Sequence, residues 1–357
     1  MNELKTKLIM LYRNPNNPLI SPKMIKPSAV GLQVVGAFNP AAVQFNDEII
    51  LILRVAETSI KKKGIVSVPY FKFTEGKSSL AVLDIPENSP DLTLKDTRGV
   101  FYKGKDYLSS LSHLRLARSK DGVNFKVDDK PFILPVDETE SFGVEDARIS
   151  KIGKDYYINY TIVSGDGYAT FLSKTRDFKN IVRLGIIFPP LNKDVCIFEE
   201  KINGKYIALH RPDNHGFGLP SIWYAESPDL IHWGNHKCLL RPQGNKWETQ
   251  KIGAGAAPIR TEHGWLVIYH AKGKNNVYSL NTLLLDLHKP DKILAVGAEP
   301  FMTPETTYEK EGFFGNVVFS NGHIVFPDGK INIYYGTSDE YSCLVQTTVN
   351  DLLKTLN

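Results

Sequence analysis

Apolar residues along this chain fall in runs of strand length, each broken by a polar turn and resumed in a second run rich in β-branched and aromatic residues. Five such pairs are legible: residues 41–55 turning at Asn46 and Asp47, 147–162 at Gly153 and Lys154, 195–209 at Asn203 and Gly204, 257–270 at His263 and Gly264, and 317–335 near Asp328 and Gly329. Ahead of each pair lies a short apolar stretch ending in proline, at Pro22, Pro135, Pro189, Pro242 and Pro304. Three of these stretches follow a polar turn that sets an Asp beside an aromatic residue: Asp121 with Phe125, Asp177 with Phe178, and Asp229 with Trp233.

Repetition at this period predicts an all-β fold of five four-stranded units, a five-bladed β-propeller, within one domain spanning residues 1–357. The interval from Pro22 to Pro135 is much longer than the rest, which reads as an insertion over residues 58–108 between the second and third strands of the first unit; a sixth unit is the competing reading. Because the first proline stretch precedes any inner strand pair, the N-terminal segment is expected to supply the outer strand of the last unit and so close the ring. Short helices are expected at residues 3–11 and 348–356.

Composition narrows the function classes. With 42% hydrophobic residues, 18 Phe, 16 Tyr and 4 Trp, the 357-residue chain is not a disordered one. The net charge of +4 is spread without a long basic tract, which argues against a nucleic-acid partner. Cys196, Cys238 and Cys343 are scattered and odd in number, so they suggest neither a disulfide framework nor a metal site and are expected to pack as small apolar side chains. The apolar run at residues 8–12 is shorter than a signal-peptide core, and nothing later reaches membrane-spanning length, so a cytoplasmic protein without a membrane partner is expected.

Polar residues recur where the inner strands begin. Asn39, Glu145 with Asp146, Asn192 with Asp194, and Asn316 occupy equivalent places, and only the fourth unit, reading Gly253 to Ala256, departs. The ends of the second strands carry cations: Arg54, His210 with Arg211, and His270 with Lys272. Antiparallel pairing returns those ends to the same mouth. Any one of the Asn or Asp residues could be a simple turn former. A ring of them facing Arg, Lys and His is costly in a partly dry cleft unless paired acids or a bound anion satisfy it, so an anionic ligand is expected.

Taken in order, Phe38-Asn39-Pro40, Arg54-Val55, residues 112–118 (Ser-His-Leu-Arg-Leu-Ala-Arg), Glu145-Asp146-Ala147-Arg148, His210-Arg211-Pro212, residues 251–255 (Lys-Ile-Gly-Ala-Gly) and Tyr269-His270 resemble glycoside hydrolase family 130, the β-mannoside phosphorylases and β-1,2-mannosidases. The resemblance runs nearly end to end, and the family's five-bladed propeller agrees with the repeat. It implies inverting phosphorolysis of β-mannosides, above all β-1,2-mannobiose or β-1,2-oligomannan, to α-mannose 1-phosphate. Asp146 would be the general acid, its proton passing through the mannose 3-hydroxyl, and inorganic phosphate would be the nucleophile and only co-substrate. Phosphate contacts carry over onto Arg211, Lys251, His270 and Tyr278, and sugar contacts onto Asn39, Arg54, Arg115, Asp194 and Asp339.

Several positions are read apart from that pattern. Lys272 stands two places after His270, where Ala271 replaces the Gly that many phosphorylases of the family have, and is read as pointing outward. Glu145 and Asp146 are neighbours on a strand and should face opposite ways, so one of them is a framework group, paired with Arg148 or Arg115. His113, His210 and His323 lie in no ligand spacing, and no metal or cofactor is expected. Tyr168, Phe217 and Trp223 are read as packing aromatics rather than sugar platforms. A β-1,2-mannosidase using Glu199 or Glu248 to activate water, and a propeller that only binds sugars or proteins, are the alternatives. Homo-oligomerisation is left open.

Overall fold

A computed structural model of the chain describes residues 9–95, 98–213, 216–244 and 247–356. Nearly all the regular structure is β, with short helices at Thr307–Lys310 and Val349–Leu353. Apart from the insertion, the strands fall in chain order into five units, the first two joined in one eight-stranded sheet by a parallel bridge between Gly143 and Ser112. The first is Leu32–Phe45, Glu48–Ser59, Ser110–Ser119 and Lys126–Val127; the second is Gly143–Ile152, Asp155–Ser164, Gly167–Thr175 and Val182–Phe188. The third is Asn192–Ile197, Tyr206–Pro212, Ile222–Ser227 and Gly234–Leu240. In the fourth, the inner strand is split into Lys251–Ala254 and Ile259–Thr261, and Gly264–Lys272, Tyr278–Leu285 and Ile293–Val296 follow. Pro258 lies in the gap of that split strand, where a residue without an N–H cannot serve a ladder.

The fifth unit joins both ends of the chain. Phe319–Val325, Lys330–Thr337 and Tyr341–Thr348 receive Tyr12–Arg13 as their outer strand, with Tyr12 opposite Gln346 and Arg13 opposite Val345. Arg13 is anchored through Nε to Glu309 (2.9 Å) and through an NH group to Glu305 (2.8 Å). Of the helix expected at residues 3–11, residues 3–8 lie outside the described residues. Residues 9–11 are not helical, and Ile9 and Leu11 pack instead on the apolar cluster around Ile331 and Leu352. The C-terminal helix is present as Val349–Leu353, capped by Thr348, whose hydroxyl accepts from Asp351 N.

Alternation explains why the central strands read as unbroken apolar runs: they are covered on both faces. Ile50 and Ile52 pack with Val144, Ile149 and Ile158 of the second unit. Leu51 and Leu53, one residue over, pack with Ile324, Tyr334 and Leu344 of the fifth. Further clusters join the second unit to the third (Leu172 with Val195 and Ile197), the third to the fourth (Leu209 with Val267 and Tyr269), and the fourth to the fifth (Ile268 with Ile333 and Tyr335). Each fully buried Leu or Ile of this kind contributes about 1.5–3 kcal/mol, and truncating Leu51 to Ala would cost about 2–5 kcal/mol.

The polar turns follow the repeat. Ser119 Oγ accepts from Asp121 N and Gly122 N while Asp121 Oδ1 accepts from Val123 N and Asn124 N, and the same scheme recurs at Thr175 with Asp177 and at Ser227 with Asp229. Between the second and third strands of the first unit stand a hairpin, Ile65–Thr74 with Lys77–Pro86, and a three-stranded sheet of Leu92–Leu94, Gly99–Tyr102 and Lys105–Leu108. Cys196 and Cys343 are buried and Cys238 is half-buried; all are free thiols. Among the described residues no helix is long and apolar enough to cross a membrane.

Candidate active site

One backbone device, used three times, aims the polar side chains. Asn39, Asp146 and Asp194 hold the same position in the first three units, with φ of 49°, 50° and 55°. Each coincides with a shift of register against the neighbouring strand. A β-bulge of this kind re-aims a side chain, and Asn and Asp tolerate the left-handed region better than other residues with a Cβ. The recurrence of Asn and Asp at the start of the inner strands is therefore a conformational requirement and the source of the site together. In the fourth unit the strand keeps regular register and Gly253 faces His270. A Cβ on Gly253 would lie 2.6 Å from Asp194 Oδ2 and 2.6 Å from His270 Cε1, so only glycine lets that pair meet. The fifth unit contributes Asp339 (φ 56°) from the turn after its second strand, whereas Asn316 gives only a backbone carbonyl, to Tyr278 N (2.9 Å).

These residues border a cavity of about 290 Å³. Asn39, Arg54, Asp146, Asp194, Arg211, Lys251, His270, Tyr278 and Asp339, all expected from sequence, line it. Arg115 does not. It is completely buried, donating to Lys26 O (2.9 Å) and Ser28 Oγ (2.8 Å), 3.6 Å from Glu57, and so is a framework group.

Two carboxylates dominate the cavity. Asp146 Oδ1 accepts from Asn39 Nδ2 (2.9 Å) and, more weakly, from Arg54 (3.4 Å). Burial works to raise its pKa, but Arg54, Lys193 and Arg148 together outweigh it, and the carboxyl sits below the ordinary Asp value. Asp194 is held on every side: Oδ1 accepts from Arg148 (3.1 Å), Oδ2 accepts from Arg211 Nε (2.6 Å), and His270 Nε2 is 3.3 Å away. Burial again opposes ionisation, and Arg211, His270 and Arg148 overcome it by a wide margin, so Asp194 stays charged well below the usual range.

The remaining groups are tuned by the same field. Burial, with Asp146 and Glu145 against the opposing pull of Arg54, pushes Asp339 up to about 6. His270 is lowered by burial to about 4 despite Asp194, and its Nδ1 has no hydrogen-bond partner. Burial, then Arg211 and Lys193, bring Lys251 down to about 8. Burial holds the Tyr278 hydroxyl above its ordinary value.

Three expectations need correction. Glu145 and Asp146 do not face opposite ways, because the bulge at Asp146 breaks the alternation and both reach Arg54, Glu145 at 2.8 Å. Glu145 is the framework carboxylate, but its partners are Arg54 and Lys193, while Arg148 belongs to Asp194. Lys272, read as pointing outward, lines the cavity with its Nζ 5.5 Å from the Tyr278 ring.

Lys193, Phe314 and Phe319 also line the cavity and were not singled out; Lys193 was visible only as the residue before Asp194. Glu199 accepts from Lys151 N and borders a different cavity, beside Ala256 and Arg260. Glu248 is buried near Tyr269 and does not line the cavity of Asp146. Of the aromatics read as packing groups, Tyr168 donates to Asp213, Trp223 lies 6.4 Å from the His210 ring and Phe217 is exposed. His210 bonds Asn192 (2.9 Å) and His236 (3.1 Å), and His113 bonds Glu57 (2.8 Å). Among the described residues no group of three or more His, Cys, Asp or Glu could hold a metal ion.

The beta-1,2-mannobiose phosphorylase of Listeria innocua serovar 6a is 41% identical over 351 residues, covering 97% of this chain and 98% of that protein. A solved structure of the Listeria innocua enzyme in complex with beta-1,2-mannobiose superposes with a TM-score of 0.88 at 40% identity, over 97% of this chain and 98% of that one. The 1,2-beta-oligomannan phosphorylase of Thermoanaerobacter sp. (strain X514) is 44% identical over 236 residues, 65% of this chain and 77% of that protein. The family description "beta-1,4-mannooligosaccharide phosphorylase" matches residues 97–357. With a near-full-length relative at this identity and a family match over most of its length, the chain belongs to glycoside hydrolase family 130.

Proposed function

We propose that this chain is an inverting phosphorylase of β-mannosides, with β-1,2-mannobiose or a short β-1,2-oligomannan as substrate, built as one five-bladed β-propeller domain. The propeller reading is supported by the five apolar clusters, which join each unit to the next and the fifth back to the first.

The observation that carries the reaction is the division of the cavity. Asp146 is lightly held by Asn39 and Arg54, while Asp194 has its oxygens taken by Arg148 and Arg211 with His270 beside it, and Lys251 and Tyr278 line the same cavity. Orthodox inverting hydrolysis needs a second carboxylate to activate water. The third carboxylate lining the cavity, Asp339, lies in the field of Arg54, Asp146 and Glu145, and the cations around Asp194 suit an oxyanion that brings its own nucleophilic oxygen.

In this reading a phosphate oxygen attacks the anomeric carbon from the face opposite the glycosidic bond. That bond breaks, the Asp146 proton passes by way of the mannose 3-hydroxyl to the departing oxygen, and the β-mannoside becomes α-D-mannose 1-phosphate and a sugar shortened by one residue. Asn39, Arg54 and Asp339 orient the mannose, whereas Asp194, expected from the resemblance to contact the sugar, has its oxygens engaged by Arg148 and Arg211 and in this reading holds the phosphate-side groups in place. Asp146 must be protonated to act, yet the cations hold its pKa down. In this reading a bound phosphate brings negative charge into the same cavity as Asp146, which favours the protonated acid and couples nucleophile to acid. Incubating the protein with β-1,2-mannobiose, with and without orthophosphate, tests the proposal. Mannose 1-phosphate formed only with phosphate supports it, and phosphate-independent release of free mannose alone overturns it.

A further inference from the structure

Lys272 ends the Gly264–Lys272 strand. On one side it stands directly opposite Lys251 and on the other directly opposite Tyr278. Side chains of directly opposed residues share a face of the sheet, with Cβ atoms about 4.5–5.5 Å apart, so two ammonium groups and a phenol form one row along the cavity wall. Lys251 Nζ and Lys272 Nζ each lie 5.5 Å from the Tyr278 ring, and Lys272 Nζ is also 5.5 Å from the Phe314 ring.

Like charges directly opposed across a sheet are destabilising. Carboxylates would relieve them, but among the described residues neither ammonium has one within 4.0 Å. The aromatic faces offset part of the repulsion. Two residues back on the same strand, about 7 Å deeper, is His270, which shares Asp194 with Arg211. The cations thus lie in two tiers: Arg211 inside, paired with Asp194, and Lys251 and Lys272 outside, where among the described residues no carboxylate lies within 4.0 Å.

We propose that Lys272 is a phosphate-binding residue, forming with Lys251 an outer oxyanion position at the lip of the cavity through which inorganic phosphate reaches Arg211 and His270. This rests on the phosphorylase reading. It makes the Lys251–Lys272 juxtaposition a device for capturing the anion: the repulsion between the two ammonium groups is relieved when phosphate arrives.

The test compares wild type with Lys272→Met, which keeps the apolar stem and removes the charge, and Lys272→Arg, which restores it. Phosphate KM and mannobiose KM are measured in phosphorolysis, and orthophosphate is titrated calorimetrically into each protein. Loss of one charge-assisted contact should raise the phosphate KM and Kd about tenfold in Lys272→Met, move the mannobiose KM less than twofold, and be largely reversed in Lys272→Arg. A merely structural role would move both KM values and the melting temperature together, which would overturn the proposal. If wild type requires phosphate but Lys272→Met keeps its phosphate KM within twofold, Lys272 alone loses its role. If wild type cleaves mannobiose without phosphate, the phosphorylase reading falls and this proposal with it.

Discussion

Asp146 and Asp194 sit on equivalent bulges of adjacent units, with nearly the same left-handed backbone and nearly complete burial, yet their surroundings differ sharply. Asp146 has one hydrogen bond under 3 Å, from a neutral amide, and a longer contact with a guanidinium it shares with Glu145. Asp194 is clasped by two guanidinium groups and faces an imidazole. The same backbone device therefore yields one carboxyl that is lightly held and one that is locked by ion pairs. What separates them is the cations on neighbouring strands.

Breaking the comparison at Asp146 should have the largest effect. Asp146→Asn keeps the shape and the Asn39 neighbour but removes the transferable proton, and a general acid contributes about 10²–10⁴-fold. Mannose 1-phosphate release should fall by that order while urea-denaturation midpoints move little. Unchanged turnover would remove Asp146 from the chemistry.

At Asp194 the expected loss is of the fold as well as of activity. Asp194→Ala leaves Arg148 and Arg211 buried without their counter-charge, a change that typically costs about 3–5 kcal/mol, and equilibrium urea unfolding should report it. Asp146→Ala should cost less than half as much in the same experiment. Equal costs would mean that the two carboxylates are not differently held.

Gly253→Ala sharpens the contrast from the other side. The added methyl would press on Asp194 and His270, and displacing reactive groups by about 1 Å can cost about 10²-fold. The phosphate KM should rise while the mannobiose KM holds, and an unaltered phosphate KM would show that the contact between Asp194 and His270 is dispensable.

The smallest effect is in pH. Lys251 is brought down to about 8 by burial, Arg211 and Lys193, so it is cationic below that pH and loses its charge above it. Phosphate affinity should therefore weaken as pH rises through about 8. A bound anion favours the charged form, so the limb should shift to higher pH at saturating phosphate. In Lys251→Arg, whose guanidinium does not titrate in this range, the limb should disappear from a plot of phosphate kcat/KM against pH.

Sequence made the repeat legible because each inner strand is covered on both faces and so reads as an unbroken apolar run, as at Ile49 to Leu53. Asn39, Asp146 and Asp194 were legible because a bulge in the left-handed region restricts the residue type. The direction in which Glu145 points was not, since it depends on where the register slips, and alternation alone gives the wrong answer there. Arg115 looked like a site residue because it lies in a family motif. Only the fold brings Ser28 and Glu57 around it and closes it off from the cavity. Lys272 was misread because its neighbours Lys251 and Tyr278 stand opposite on other strands, a relation with no local signature.

The pairing of Tyr12 and Arg13 with Val345 and Gln346 has a consequence for biogenesis. As the polypeptide leaves the ribosome, the Tyr12–Arg13 strand must wait for the Tyr341–Thr348 strand before finding its hydrogen-bonding mate. Long-range pairing of this kind is slow to nucleate. Asn39, Asp146 and Asp339 come from units spread along the chain, so the site should stay unassembled until the Tyr341–Thr348 strand has been made and has paired with Tyr12–Arg13.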